Sequence, residues 1–506
     1  MADDTLRSDL ADPAQGAALV AYLAGGSGMI ARTIADRLDD EVSAFDAMTA
    51  AQRSDVRSGA GASNVSAALQ AVVDKLAAMG GGRVKCPPGV YRLTATVNVP
   101  NGVTIEGSGC APYIGTGETS KPRGGGTWFH PDHAGVAFQA NANAGSPVGS
   151  GAVLRNFGVF RTHAVPAAGW APTTYDYDIV TYGVDLLIED VTLLNACKGI
   201  KIASAGFGRL HVNRLKMQAF QVGIDLDQSL DTCRVENVQM WPFWSDHFAV
   251  RDYMLQNLKA YRIKRADNSV IHGCFSIYHQ VGIYVDGDGA GATAYALRIS
   301  NCNIDPGGCS VQFAPGADNA TALIENCIFA GADEVAGSFG ILFECDNARV
   351  GVSNCELVNY GSYALAVWGA NNLLRMNNVH VANWNKGNAA MAAIQVGVTN
   401  EVRQANVTRS GGNGANLWSG GGLMFGYTGG GEVASGTDAL GDITVSHNLR
   451  MVPRRVYVQQ TEPDTAYDLR VHSRNATTFK VRVYSASGTV VANGGALTLF
   501  WQAEGM

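Results

Sequence analysis

The residues most able to do chemistry in this chain sit at fixed distances from a repeated polar position. Asp227, Arg251, Asp286 and Glu344 each follow the second apolar residue of a short apolar-x-apolar segment. That second apolar residue lies 12 or 13 residues after the polar position of its coil, or 17 to 18 in two coils that imply local insertions around 331–338 and 385–391. If the segments are strands stacked coil on coil, their side chains alternate. The residue after each inward apolar position then faces out, and equivalents in successive coils lie about 4.8 Å apart. One outward column reads Ala203, Asp227, Arg251, Asp286, Ala314, Glu344, Trp368, Gly397, and its neighbour Lys201, Asp225, Ala249, Tyr284, Gln312, Leu342, Ala366, Gln395.

Asp286 and Glu344 are two coils apart in that register, about 9.6 Å along the backbone, and Asp227 and Asp286 are separated likewise. A carboxylic acid and a carboxylate roughly 6.5–9.5 Å apart admit a water between them, the arrangement of inverting glycoside hydrolysis, whereas retaining enzymes hold theirs about 5–5.5 Å apart. Asp286, Glu344 and Asp227 are therefore the expected catalytic carboxylates. Arg251, read as lying between Asp227 and Asp286, would hold one of them ionised and leave the less compensated Glu344 as the acid. Arg251, Trp368, Tyr284 and Asp225 complete the expected binding face. A second cluster, Trp241-Pro242-Phe243-Trp244-Ser245-Asp246-His247, offers rings that stack on the apolar faces of sugars, and adds Trp241, Trp244, Asp246 and His247 to that face. The plainer reading is a solvated solenoid face with alternating charges, and loop rings packed against the scaffold. Trp170 with Tyr175-Asp176-Tyr177-Asp178 reads as a loop tip. The histidines lack metal-site spacing and no cofactor motif is present, so neither a metal nor a cofactor is expected.

The elements that position these residues follow from the repeat itself. Ile299-Ser300-Asn301-Cys302, Ile324-Glu325-Asn326-Cys327, Val352-Ser353-Asn354-Cys355 and Met376-Asn377-Asn378-Val379 recur, with weaker copies at Asp190, Arg214, Asn237, Gly273 and Asn406. A period of about 24 to 28 residues is that of a stacked solenoid, and the long step from Asn237 to Gly273 implies an inserted loop. The asparagines read as a structural hydrogen-bonded ladder. Cys274, Cys302, Cys327 and Cys355 share the next position and read as reduced core thiols. Sixty-one glycines and only 16% charged residues favour short strands and tight turns. A net charge of −7 argues against a nucleic-acid partner. No stretch has the pattern of a signal peptide or a membrane span.

Helical segments are expected over about 6–23, 30–50 and 64–79, the last started by Ser63 or Asn64 and stopped by Gly80-Gly81-Gly82. Gly82-Arg83-Val84-Lys85-Cys86-Pro87-Pro88-Gly89-Val90-Tyr91 and Val97-Asn98-Val99-Pro100-Asn101-Gly102-Val103-Thr104-Ile105-Glu106-Gly107 then read as strand, turn, strand. This helix, glycine run and "PPGxY…PxGVxIxG" pattern resembles the opening of the pectate-lyase-like right-handed β-helix of phage tailspikes and polysaccharide depolymerases. Leu10-Ala11-Asp12-Pro13 with Gly16-Ala17-Ala18-Leu19-Val20, and Val42-Ser43-Ala44-Phe45-Asp46, resemble the tailspike neck. The acidic Asp-Gly segment common before the first helix in that family reads here as Ser58-Gly59-Ala60-Gly61-Ala62-Ser63-Asn64, without acids. From Asp442 onward, alternating strands at sandwich spacing are similar to C-terminal trimerisation or receptor domains of tail proteins.

The expected architecture is thus all-β: residues 1–80 a helical neck and cap, 81–435 a right-handed parallel β-helix, 436–506 a C-terminal β domain. The resemblance implies a virion tailspike, acting at the host surface, that binds bacterial surface polysaccharide (O-antigen or capsule) and cleaves it endo-hydrolytically. It also implies a homotrimer that docks to the phage tail through its N-terminus, directly from a longer form or through an adaptor protein. Two other readings are a polysaccharide lyase, with Arg251 neutralising a uronate and Tyr284, His247 or Lys201 taking the proton, and a glycan-binding adhesin without catalysis.

Overall fold

The structure is a computed structural model and describes the chain apart from residues 1, 13–15, 23–28, 39–40, 111–124, 141–150, 183–184, 203–207, 333–334, 387–390, 413–416, 426–427, 448–451, 461–466, 495–496 and 505–506. Ala203, together with parts of the insertions inferred at 331–338 and 385–391 and of the glycine-rich segment 410–436, lies outside the described residues.

Among the described residues a parallel sheet of 33 strands winds as a right-handed parallel β-helix. The chain divides into two compact units, Met1–Tyr284 with Cys302–Ile304, and Val285–Asn301 with Asp305–Met506. Each coil contributes up to three strands, and strands of one kind stack in parallel register as three rows. In the first row of the second unit Ile299 pairs with Ile324, Ile324 with Val352 and Val352 with Met376. All four side chains are buried. Every coil is amphipathic by itself and gains its core from its neighbours, so inward columns repeat one residue class. Phe313 and Phe343 show the result: their rings lie parallel, 4.7 Å apart, the spacing of adjacent strands.

The repeated polar position has a conformational cause. Asp190, Arg214, Asn237, Asn301, Asn326, Asn354, Asn378 and Asn406 all have φ between 52° and 55°, and Gly273 has 61°. The corner between the first two rows requires a left-handed residue, which asparagine and glycine tolerate best. The amide ladder expected from sequence is present where Asn378 donates to Asn354 (2.9 Å), while Asn237 donates to Asn213, the residue before the corner position Arg214 (3.0 Å). The backbone turn is the requirement common to all nine positions. All ten cysteines are free thiols, and Cys274, Cys302, Cys327 and Cys355 are buried.

At the N-terminal end the helices are Ala2–Ala11, Gly16–Leu19, Ile34–Leu38, Ala50–Ser58 and Ser66–Ala78. The single helix expected over 30–50 is instead broken by strand Glu41–Ser43 and a 3-10 turn at Ala44–Ala47, because Glu41–Ser43 pairs with Gly82–Lys85. Ser43 and Thr49 each form a capping box that starts a new helical element. Asn64 accepts from the Ser66 amide at the start of Ser66–Ala78, whose apolar face (Leu69, Val72, Val73, Leu76) is buried.

The C-terminal strands form two three-stranded antiparallel sheets. One orders Thr428–Ser435, Leu497–Glu504 and Arg455–Gln460; the other Asp442–Ser446, Thr478–Tyr484 and Asp468–Arg474. Their core is Ile443, Val445, Phe479, Val481, Val483, Leu497, Leu499, Trp501 and Ala503. Among the described residues no helix is long and apolar enough to cross a membrane.

Candidate functional site

The third row carries the outward columns. In the second unit its register is fixed by hydrogen bonds from Ala314 N–H to the Val285 carbonyl, Glu344 to Phe313, Trp368 to Phe343 and Gly397 to Val367. Asp286, Ala314, Glu344, Trp368 and Gly397 therefore follow one another coil by coil, as the spacing predicts. Asp286 and Glu344, two steps apart, have backbones about 9.6 Å apart along the stack. The adjacent column pairs Gln312 with Leu342, Leu342 with Ala366, and Ala366 with Gln395.

Within this unit the two columns interlock. Gln312 Nε2 donates to a Glu344 carboxyl oxygen at 2.6 Å, fixing the acid by a neutral donor. Trp368 is exposed and its Nε1 donates to Gln395 Oε1 at 2.6 Å. Its ring meets Phe339 edge-on at 5.2 Å, and Phe339 stacks on Tyr363 at 6.4 Å. Asp286 Oδ1 accepts from the Gly287 amide at 2.9 Å. Gly316, in the following turn, lies against that same oxygen: a Cβ built there would be 2.7 Å from it. Neither Asp286 nor Glu344 has an ion-pair partner among the described residues.

Asp305 was missed by sequence reasoning. Burial raises its carboxyl above the usual range. It lies in the second-row strand Asn303–Gly307, not on the third-row columns. A concavity of about 530 Å³ in the second unit is lined by the ladder residues Asn326, Asn354 and Asn378 with Ile328, Glu356, His380 and Thr408. Its lining belongs to the corner between the first and second rows and includes no residue of the Asp286–Glu344 column.

In the first unit the register differs from expectation at one coil. Arg251, and with it Val250 and Ala249, lies not on a strand but in the helix Phe248–Asn257. The strand of that coil is Lys259–Ile263, in which Arg262 pairs with Asp225 and Ile263 with Leu226. The apolar triplet Phe248-Ala249-Val250 imitates a strand, but His247 Nδ1 accepts the Ala249 amide and starts a helix that buries Ala249, Val250 and Met254. The distance to the next ladder residue carried the signal. From Ile263 to Gly273 is 10 residues, close to the 11 from Leu226 to Asn237, whereas from Val250 it is 23. The column positions given to Arg251 and Ala249 belong to Lys264 and Arg262.

Asp227 forms an ion pair with Lys264 (3.3 Å). Asp225 is buried, accepts from the Tyr177 hydroxyl at 2.7 Å, and faces Arg262 Nη1 at 3.7 Å. Burial, then the Asp225 charge, pushes the Tyr177 phenol up, so it remains a donor. Lys201 pairs with Asp225 in register, and Lys259 Nζ lies 3.8 Å from the centre of the Tyr284 ring.

The expected aromatic platform is largely interior. Trp244 is 3% exposed and Phe243 7%, and Trp244 packs with His163, Trp170 and Phe220 at centroid distances of 5.6–5.8 Å. Trp170, read from sequence as a loop tip, is buried in that cluster and donates to the Ala164 carbonyl. Trp241 is half-buried against Phe275, Asp246 is exposed and lies 3.8 Å from Arg251, and His247 is committed to the helix cap. The ring cluster nearest solvent is instead exposed Trp368 with half-buried Phe339 and Tyr363. Phe339 and Trp368 flank the Glu344 strand by position, a signal overshadowed by the denser Trp241–Trp244 run. Among the described residues no group of three or more His, Cys, Asp or Glu is placed to hold a metal ion.

No protein-family model matches the chain, and no curated protein matches it. Solved structures do. A double variant of the tailspike protein of E. coli bacteriophage HK620 superposes with a TM-score of 0.56 at 12% identity, covering 99% of this chain and 100% of its own. A single variant in complex with pentasaccharide gives 0.55 at 12% identity over the same shares. The HK620 tailspike protein in complex with pentasaccharide gives 0.52, again at 12% identity over 99% and 100%. At that identity the likeness establishes the fold.

Proposed function

We propose that this chain is a phage tailspike that binds a bacterial surface polysaccharide, O-antigen or capsule, and cleaves it by endo-hydrolysis. The observation that carries the reading is the pair Asp286 and Glu344 on one outward column of the second unit, with Gln312 and Trp368 beside them. The shared fold with a tailspike solved in complex with a pentasaccharide supports the partner class.

Glu344, oriented by a neutral amide, gives its proton to the leaving glycosidic oxygen. Asp286, oriented by the Gly287 amide, draws a proton from water on the opposite side of the sugar. The separation leaves room for that water, so the anomeric configuration inverts. Trp368, with Phe339 and Tyr363, is the stacking surface. Asp227, ion-paired with Lys264, is assigned to binding rather than proton transfer. The protein works as a homotrimer in the virion tail, at the host surface, attached through its N-terminus directly or by an adaptor.

β-Elimination fits less well. Arg251 is on a helix, His247 Nδ1 is used as a cap, and the Tyr284 ring is covered by Lys259 Nζ at 3.8 Å. The test is a product assay on purified O-antigens and capsules. New reducing ends without ultraviolet absorbance from an unsaturated uronate are expected. Absorbance would mean a lyase. Unchanged activity of Asp286→Asn and Glu344→Gln would overturn the site, and no cleavage of any glycan would leave an adhesin.

A further inference from the structure

The third-row face of the first unit contains buried polar atoms without a hydrogen-bond partner among the described residues. Asp225 is 2% exposed; its Oδ2 accepts from Tyr177, while its Oδ1 has no hydrogen-bond partner among the described residues. Asp227 Oδ1 and Arg262 Nε, both buried atoms, are likewise without one. The three belong together by register, since Asp225 pairs with Arg262 and Asp227 is two residues beyond Asp225 on the same face. Buried polar atoms normally find partners, and an orphaned acceptor or donor costs free energy unless a ligand or water completes it.

The charges around these atoms are uneven. Lys201 precedes Asp225 in the column, and its Nζ lies 5.8 Å from the centre of the Tyr177 ring, with Lys198 Nζ at 5.5 Å. Arg262 and Lys264 follow on the next strand. Arg262 beside Asp225, Lys264 beside Asp227, and Lys198 and Lys201 beside Tyr177 put four cations on this face, with exposed Asp176 beside Tyr177 as a third carboxylate, in a chain whose net charge is −7. Two unpartnered carboxylate oxygens call for hydroxyl donors, and the surplus cations with an unpartnered guanidinium N–H call for an anion. A ligand that carries both is a polyhydroxylated anion.

We propose that this face binds a carboxylated sugar residue, a uronate or another acidic saccharide, of the polysaccharide. Its hydroxyls donate to Asp225 and Asp227, and its carboxylate meets Arg262, Lys201 and Lys198. This rests on the tailspike reading and narrows it: the polysaccharide recognised is anionic.

The experiment is titration calorimetry of the full chain, and of its Glu344→Gln variant to prevent cleavage, against uronate- and sialate-containing and neutral oligosaccharides from capsules and O-antigens. Each acidic one is also tested after chemical reduction of its carboxyls. Binding of at least one acidic oligosaccharide is expected, weakened at least tenfold by carboxyl reduction and by raising salt from 0.05 to 0.5 M. Lys198→Gln/Lys201→Gln should weaken it about tenfold without changing the melting temperature. Affinity unaffected by carboxyl reduction, or by the double substitution, overturns the proposal. An acidic glycan bound but never cleaved by the unsubstituted chain removes the hydrolase and leaves this site. A neutral glycan bound and cleaved does the reverse, and binding of none removes both.

Discussion

In the first unit the outward residues of the third row are charged and mutually engaged: Tyr177 to Asp225, Asp225 to Arg262, Asp227 to Lys264. In the second unit the same row presents Glu344 against the Gln312 amide and Asp286 against the Gly287 backbone N–H, while the Trp368 indole donates to Gln395. An ion pair sets a carboxylate's charge by a partner that is always present. A carboxyl held by neutral donors can gain and lose a proton without breaking a salt bridge, as acid–base turnover requires. The two faces share a scaffold and differ in which neighbour the next coil supplies, so a column of acids in sequence is not one site with one role.

The sharpest way to break the comparison is to neutralise acids on both faces. Glu344→Gln and Asp286→Asn should each lower the depolymerisation rate roughly 10²–10⁴-fold, the usual contribution of a general acid or base, with melting temperature unchanged. Equal losses from Asp227→Asn would erase the distinction.

Next in size is Trp244→Ala, which empties an interior ring cluster of the first unit and should cost about 3–5 kcal/mol in chemical denaturation. A variant that stayed stable but lost glycan affinity would restore the platform reading of Trp244.

The first unit should also be the acid-sensitive one. His163 Nδ1 accepts the Thr173 amide (3.1 Å), which leaves its Nε2–H to donate to the Asn195 carbonyl (2.8 Å). This arrangement needs the neutral ring, and burial lowers its pKa from 6.5 to about 4. Between those values the unfolded chain binds the proton and the folded one does not. Stability is therefore full above pH 6.5 and falls as pH drops toward 4, by on the order of 3 kcal/mol. Denaturation curves at pH 7 and 4.5 should show the loss, and His163→Gln should flatten it.

A smaller effect is expected from Gly316→Ala, whose methyl displaces the Asp286 carboxylate. A rate loss of about 10- to 100-fold with little change in KM would follow from misplacement alone. Least is expected from Trp368→Ala, about 1 kcal/mol of glycan affinity, read as a several-fold rise in KM with kcat nearly constant.

Much of this organisation was legible from the chain, because a solenoid writes its register into a local repeat. The corner residue must be left-handed, the residue beside it apolar, and the third-row strand comes a set distance later. Asp286, Glu344 and Trp368 were placed by that count. The count failed at Arg251, where thirteen residues after Asn237 the apolar triplet before it satisfied the strand pattern and the helix cap at His247 did not show as one. Ring density misled at Trp244, since it does not say whether rings face solvent or a core built by Trp170 and Phe220 from other coils.

The sequence by itself determined the repeat, the inward columns and the facing of the acids in the second unit, all properties of residues within one coil of each other. The tertiary structure decided the partners: Lys264 for Asp227, Tyr177 and Arg262 for Asp225, Gln312 for Glu344, Gln395 for Trp368. Those partners come from residues 27–48 positions away. An insertion anywhere in the intervening coil changes which side chain arrives, and only the folded stack fixes the one that does.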